Sequence, residues 1–260
     1  MKHQAKKRFG QNFLVDPYII SQIIDAGEFK RDDIVTEIGP GLGALTKHLV
    51  NQLDCLNVIE IDNDIIPHIQ QLDIDNKITI YHQDALKVDY LQLISNDKRK
   101  KNKLIGNLPY NISTPLLIHL MPYSHQFERM IFMLQKEVID RLCAVPNNKT
   151  YGRLSVIINY FCHIERVINV PPSAFRPQPK VDSAVIRLKP KTMRLELYDF
   201  SLFEQIVFHA FQQRRKTISN SLKLFLTIDD FKQLQINPKL RAENLTLELF
   251  VAISNYVAKL

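Results

Sequence analysis

Four consecutive residues, Asn107-Leu108-Pro109-Tyr110, follow the apolar run Leu104-Ile105-Gly106 and join an amide, a rigid turn and an aromatic ring. At the end of a buried strand, such a set suits a site that grips a planar, amine-bearing group by its edge and its face. An exocyclic aromatic amine is a poor nucleophile because its lone pair is delocalised into the ring. No strong base is required, since the nitrogen becomes acidic as it alkylates. The lone pair must instead be localised and aimed. The Asn107 side-chain oxygen and the Leu108 carbonyl could both accept N–H bonds from such an amine, while Pro109 stiffens the turn and Tyr110 stacks on the ring. Catalysis of that kind is mainly orientation, with electrostatic help as positive charge develops. A plainer reading is also available, because Asn-x-Pro sequences commonly just end a strand.

Three features lie upstream. Glu37-Ile38-Gly39-Pro40-Gly41-Leu42-Gly43 follows a predicted strand and opens a helix, and its glycines permit a tight turn and close approach to a ligand. Glu60 ends the next strand, where an acid in a Rossmann-like fold accepts hydrogen bonds from ribose hydroxyls. A dinucleotide site fits these residues equally well. The spacing G-x-G-x-G, with no third glycine at the dinucleotide position, tilts the choice towards S-adenosylmethionine. So does Asp84 in Gln83-Asp84-Ala85, an acid able to accept from an adenine amine. Singly, the glycines are as well explained by an ordinary strand-to-helix turn, and Glu60 is better explained as an acidic helix cap. In this order, with 107–110 behind them, they read as a methyl-donor site followed by an acceptor site. A base in a duplex cannot reach such a pocket, so the target must be unpaired or flipped, with a second aromatic platform. Phe175, framed by Pro171 and Pro172, is the candidate, although by sequence alone a core phenylalanine has the edge.

These residues need elements to hold them. Apolar runs predict strands at 34–38, 55–61, 77–81, 103–106, 130–134, 154–161 and 181–188. Helical spacing predicts helices after Gly43, over 65–72 (with Pro67 tolerable only in the first turn), from a Thr114-Pro115 start, and around 136–144. Alternation of this kind argues for an α/β fold with a mostly parallel, doubly wound sheet. Beyond Pro190 the period is helical, with Ser201 and Glu204 as a capping box. The expected domains are therefore 1–190, with a basic segment at 1–15, and a small all-helical domain at 191–260.

The 260 residues allow an ample core, and a formal charge of +7 favours an anionic partner, nucleic acid before membrane. Cys55, Cys143 and Cys162 are odd in number and widely spaced, which suggests reduced thiols, no metal site and a cytoplasmic protein. Cys55 and Cys143 read as core packing. Neither a transmembrane span nor a secretion signal is evident.

With these residues in view, the chain resembles the bacterial small-subunit (16S) ribosomal RNA adenine N6,N6-dimethyltransferases. The resemblance rests on Arg8 to Leu14, Glu37 to Gly43, Asn107 to Ser113, Leu134 to Glu137, Tyr151 to Ser155, Pro171 to Phe175, Pro179 to Ser183 and Arg214 to Thr217. These segments run through nearly the whole chain and are specific as a set. The resemblance implies a class I S-adenosylmethionine-dependent methyltransferase with a helical RNA-docking domain. The expected activity is transfer of two methyl groups to N6 of each of two adjacent adenines near the 3′ end of 16S ribosomal RNA, within a small-subunit precursor. The enzyme is expected to be a monomer. Asn12, Leu14, Gly39, Glu60, Asp84 and Asn107 match the family's donor-binding positions, with Gly41 in the same turn. Asn107, Leu108 and Tyr110 match its catalytic loop, and Phe175 matches its base-stacking position. Arg214, Arg215 and Lys216 match a family motif that suits phosphate contacts, and Lys6, Lys7 and Arg8 could carry RNA towards the donor pocket. The basic run 98–103 is read as a solvated loop. A methyltransferase acting on large-subunit RNA or DNA ranks below this, as does an assembly factor that has lost catalysis.

Overall fold

The computed structural model describes residues 11–97 and 99–260, so Lys6, Lys7, Arg8 and Lys98 lie outside the described residues. In chain order the elements are β1 (Phe13–Leu14), α1 (Pro17–Gly27), β2 (Ile34–Ile38), α2 (Thr46–Gln52), β3 (Leu56–Glu60), α3 (Ile66–Gln70) and β4 (Ile78–His82). They continue with β5 (Asn102–Asn107), α4 (Ser113–Leu120), β6 (Arg129–Gln135), α5 (Lys136–Leu142), α6 (Arg153–Phe161), β7 (Cys162–Val170), β8 (Phe175–Arg176) and β9 (Ser183–Pro190). Helices α7 (Phe200–Gln212), α8 (Ile218–Ser221), α9 (Ile228–Gln233) and α10 (Leu247–Val257) complete the chain. Two units result. One holds the described chain up to Ile139 with His163–Pro190, and the other holds Asp140–Cys162 with Lys191–Leu260.

The first unit is a seven-stranded sheet in the order β4-β3-β2-β5-β6-β9-β7. Strands β4 through β6 pair in parallel, and β9 runs antiparallel to β6. Val35, Ile38, Leu56, Val58, Ile59, Leu104, Ile105, Ile131 and Phe132 are all buried, the near-continuous apolar run of strands covered on both faces. Strand order reverses between β2 and β5, the topological switch point where α/β sheets leave a crevice at the carboxyl ends of their strands. Gly106 lets those ends meet: a Cβ there would lie 2.6 Å from the Ile38 carbonyl oxygen. Beneath the sheet, Asp16 caps α1 by accepting from the Tyr18 and Ile19 amides. That helix buries Ile19, Ile20, Ile23 and Ile24 in the core.

In the helical unit, aromatic rings form the centre. Tyr160 and Phe161 meet at 4.9 Å, Phe161 and Phe200 at 5.2 Å, and Tyr160 and Phe203 at 5.5 Å. The segment Asp140–Cys162 belongs here, although it precedes the last strands of the sheet in sequence.

Several local expectations change. Residues 154–161 form helix α6, not a strand; Ser155 accepts from the Gly152 amide, and the apolar residues that suggested a strand are buried almost all round the helix. Strand β7 was not anticipated, because as the outermost strand it carries the exposed polar residues His163, Glu165 and Arg166 with no clean alternation. Helix α7 is capped by Asp199, whose carboxylate accepts from the Leu202 amide, and Glu204 instead pairs with Arg153 at 2.6 Å. Helix α4 begins at Ser113, so Thr114 does not cap it. Pro67 falls in the first turn of α3, the one place it fits. Cys143 is exposed just past α5 and is no core residue. Lys103 is not a loop cation: it is 2% exposed and pairs at 2.7 Å with Asp33, itself 1% exposed.

Candidate active site

A cavity of about 320 Å³ opens at the switch point. Asn12, Leu14, Gly39, Gly41, Glu60, Asp84, Asn107, Leu108 and Tyr110 all line it. Residues separated by nearly 100 positions thus share one wall, and the reason is the register. Strand β2 pairs with β3 on one side and β5 on the other, so Gly39, Glu60 and Asn107 emerge side by side.

The glycine turn is left-handed where it matters, with φ of +67° at Gly39 and +54° at Gly41. A Cβ on Gly39 would point towards the Asn107 carbonyl, 3.9 Å off, and a Cβ on Gly41 would meet the Phe13 ring at 3.0 Å. At Gly39 the turn is therefore bare of a side chain where it faces the 107–110 loop, and at Gly41 where it faces Phe13. Glu60 is oriented by its own chain, since Oε1 accepts from the Ile61 and Asp62 amides at 2.8 and 2.7 Å. Asp84 accepts from the Leu86 amide through one oxygen.

The 107–110 loop is tied at each residue. The Asn107 amide donates to the Asn12 carbonyl at 3.1 Å. The Leu108 N–H donates to the Met133 carbonyl at 3.1 Å, and the Ile112 N–H donates to the Pro109 carbonyl. The Tyr110 phenol lies 2.9 Å from the Ser183 hydroxyl. Burial pushes the Tyr110 phenol up, against a smaller opposite effect of that hydrogen bond.

Phe175 is not brought to the cavity. It is fully buried in β8, opposite Leu14, and packs with Val170 and Ala174 in the hydrophobic core. The short β1–β8 ladder accounts for this burial, because residues directly opposite share a face and Leu14 and Phe175 both enter the same core cluster. Arg214, Arg215 and Lys216 lie in the helical unit. Arg214 donates to the Lys149 and Tyr151 carbonyls, so it ties down a loop of that unit.

Sequence reasoning assigned no role to Glu37, which also lines the cavity. It is fully buried and accepts from the Thr46 hydroxyl at 2.7 Å. Burial pushes its carboxyl up to about 7; the Thr46 bond opposes this and the neighbouring Glu60 charge adds to it. Its place at the end of a buried strand, directly before the glycine turn, was the available signal. Among the described residues no cluster of His, Cys, Asp or Glu is placed to hold a metal ion, and no helix is long and apolar enough to cross a membrane.

A bare glycine turn, two carboxylates beyond successive strands and an apolar floor fit S-adenosylmethionine: room for its chain, acceptors for its hydroxyls and amine, and surface for its base. Fold and cavity define a class I S-adenosylmethionine-dependent methyltransferase. The family model described as ribosomal RNA adenine dimethylase matches residues 2–259. Two proteins called ribosomal RNA small subunit methyltransferase A are each 48% identical to the chain. That of Shewanella sp. (strain MR-7) is matched over 98% of this chain and 95% of its own length, and that of Neisseria meningitidis serogroup A over 99% and 98%. A dimethyladenosine transferase from Plasmodium falciparum superposes with a TM-score of 0.76 at 27% identity, covering 93% of this chain and 95% of that one. The 23S rRNA methyltransferase ErmE shares the fold, with a TM-score of 0.66 at 23% identity over 95% of this chain and all of its own. The chain belongs to the ribosomal RNA adenine dimethylase family and is an S-adenosylmethionine-dependent ribosomal RNA adenine dimethyltransferase.

Proposed function

We propose that this enzyme dimethylates N6 of each of two adjacent adenines in the hairpin loop near the 3′ end of 16S ribosomal RNA, within an assembling small subunit. It does so in the cytoplasm, as a monomer. The observation that carries the chemistry is the single cavity in which the Gly39–Gly41 turn faces the Asn107–Tyr110 loop. The near-full-length similarity to proteins called ribosomal RNA small subunit methyltransferase A supports the choice of subunit.

Bound S-adenosylmethionine supplies an electrophilic methyl group. Asn12, Leu14, Gly39 and Gly41 bed the donor, Glu60 accepts from its ribose hydroxyls and Asp84 from its adenine amine. At the acceptor, the Asn107 amide nitrogen is engaged by Asn12, so the side-chain oxygen is the end that turns to the target amine. The Leu108 peptide is fixed by its N–H bond to β6, which holds the carbonyl as the second N–H acceptor. Two acceptors pull the amine towards tetrahedral geometry and free its lone pair. Tyr110 stacks on the base, which must be unpaired or flipped to arrive. The helical unit docks on ribosomal RNA, with Arg215 and Lys216 contacting phosphates and setting position rather than sequence.

The test is transfer from labelled S-adenosylmethionine to small subunits that lack the modification, beside naked RNA and large subunits, with products digested to nucleosides. N6,N6-dimethyladenosine from small subunits alone is expected. Transfer to large subunits, or binding without transfer, would overturn the proposal.

A further inference from the structure

We infer that Ser183 is a positioning residue for the second methyl transfer, acting through the Tyr110 ring. Ser183 is buried at the first position of β9, where its backbone pairs with Gln135 at the end of β6. Its hydroxyl lies 2.9 Å from the Tyr110 phenol. Two residues before Gln135, Met133 takes the Leu108 N–H. The 107–110 loop is therefore tied to β6 by its backbone and to β9 by its aromatic tip. Ser113 Oγ holds the Tyr110 carbonyl at 3.2 Å, which leaves the ring torsion as the freedom that Ser183 removes.

The two transfers differ in what they ask of that ring. In each, the amine nitrogen bonds the methyl carbon, the carbon–sulfur electron pair stays on sulfur, and one N–H proton leaves to solvent. The unmethylated amine brings two N–H groups to two acceptors, Asn107 Oδ1 and the Leu108 carbonyl. After the first transfer one N–H remains, and edge contacts alone no longer fix the amine. Orientation then falls on the face contact with Tyr110, so a slack ring harms the second step more than the first. The inference rests on the reading of Tyr110 as the base platform.

The experiment follows monomethyl- and dimethyladenosine over time in small subunits lacking the modification, with full-length enzyme and saturating donor. Ser183→Ala and Tyr110→Phe should each slow the second transfer about tenfold and the first about threefold, the scale of one lost buried hydrogen bond. Monomethyladenosine should then accumulate. The double variant should be no worse than either single one, and Ser183→Thr should restore the wild-type ratio. Tyr110→Phe tests the same bond without touching β9, so misfolding of Ser183→Ala cannot imitate the result. An unchanged ratio of products, or additive losses in the double variant, would overturn the inference. Tyr110→Ala separates the two levels. If it is inactive while Ser183→Ala keeps the wild-type ratio, only the positioning role falls; if Tyr110→Ala transfers normally, the platform itself falls.

Discussion

The cavity of the sheet unit and the basic turn of the helical unit treat their polar side chains in opposite ways. In the cavity four of them are held: Asn107 by Asn12, Tyr110 by Ser183, Glu60 and Asp84 by backbone amides. In the helical turn Arg214 is held by two carbonyls, whereas Arg215 and Lys216 are exposed with no side-chain hydrogen bond or ion pair among the described residues. Orientation demands fixed groups, since a misplacement of about 1 Å can cost 10²-fold in rate. Attraction to a polyanion does not, because long cations serve phosphates at many geometries. The difference is the one the proposed roles require, fixed groups for orienting a base and free cations for meeting phosphates.

The sharpest way to break that contrast is Asn107→Ala. Transfer should fall by about 10²–10³-fold, the loss seen when one oriented hydrogen-bonding group is removed from a reacting centre. RNA affinity in a filter-binding titration should stay within about twofold, because the unheld cations remain. Near-normal turnover would remove the amine-orienting role. Phe175→Ala comes next, with an expected loss of about 3–5 kcal/mol in denaturant titration, as for other fully buried phenylalanines. A wild-type midpoint would take the ring out of the core and return it to the candidates for base stacking.

Glu37 offers a pH test of the cavity wall. Its carboxyl titrates near 7 in the folded chain against 4.5 as its ordinary value, so the folded state prefers it protonated. Its contribution to stability is full below pH 4.5 and is lost as pH rises to about 7. Across that window the wild type should lose on the order of 3 kcal/mol relative to Glu37→Gln, at 1.36 kcal/mol per pKa unit. Parallel stability curves for the two proteins would mean that burial does not raise the Glu37 carboxyl in the folded chain. The smallest effects belong to the helical turn. Arg215→Ala and Lys216→Ala should each lower the salt slope of RNA binding by about one, with unchanged melting temperature. Arg214→Ala should do the reverse, melting earlier with little change in slope, because it serves the fold.

Much of the candidate site's layout was legible because residue type limits what backbone and side chain can do there: glycine where φ is positive, a carboxylate beyond a strand, an amide and a ring in one turn. Nine of the expected donor and acceptor residues line one cavity. The rest depends on neighbours that sequence spacing does not reveal. The run Leu154–Phe161 is apolar enough for a strand, and as a helix it is buried on nearly every side, with Tyr160 and Phe161 against Phe203 and Phe200. Strand β7 is polar because nothing lies beyond it in the sheet. Phe175 lies between prolines as an exposed platform might, yet the pairing with Leu14 directs it inward. Glu37 reads as a flank of the glycine turn, and its buried state follows from strands lying on both sides of β2.

The placement of Asp140–Cys162 among the C-terminal helices means that the chain passes from one unit to the other three times. A fragment ending at Pro190 would carry Tyr160 and Phe161 without the Phe203 and Phe200 rings of α7 that meet them, and so would present a sticky apolar surface in place of a clean edge. The enzyme cannot be halved with one cut. A free catalytic fragment would require 140–162 to be replaced by a short linker, and a free helical fragment would require that segment to be grafted onto residues 191–260.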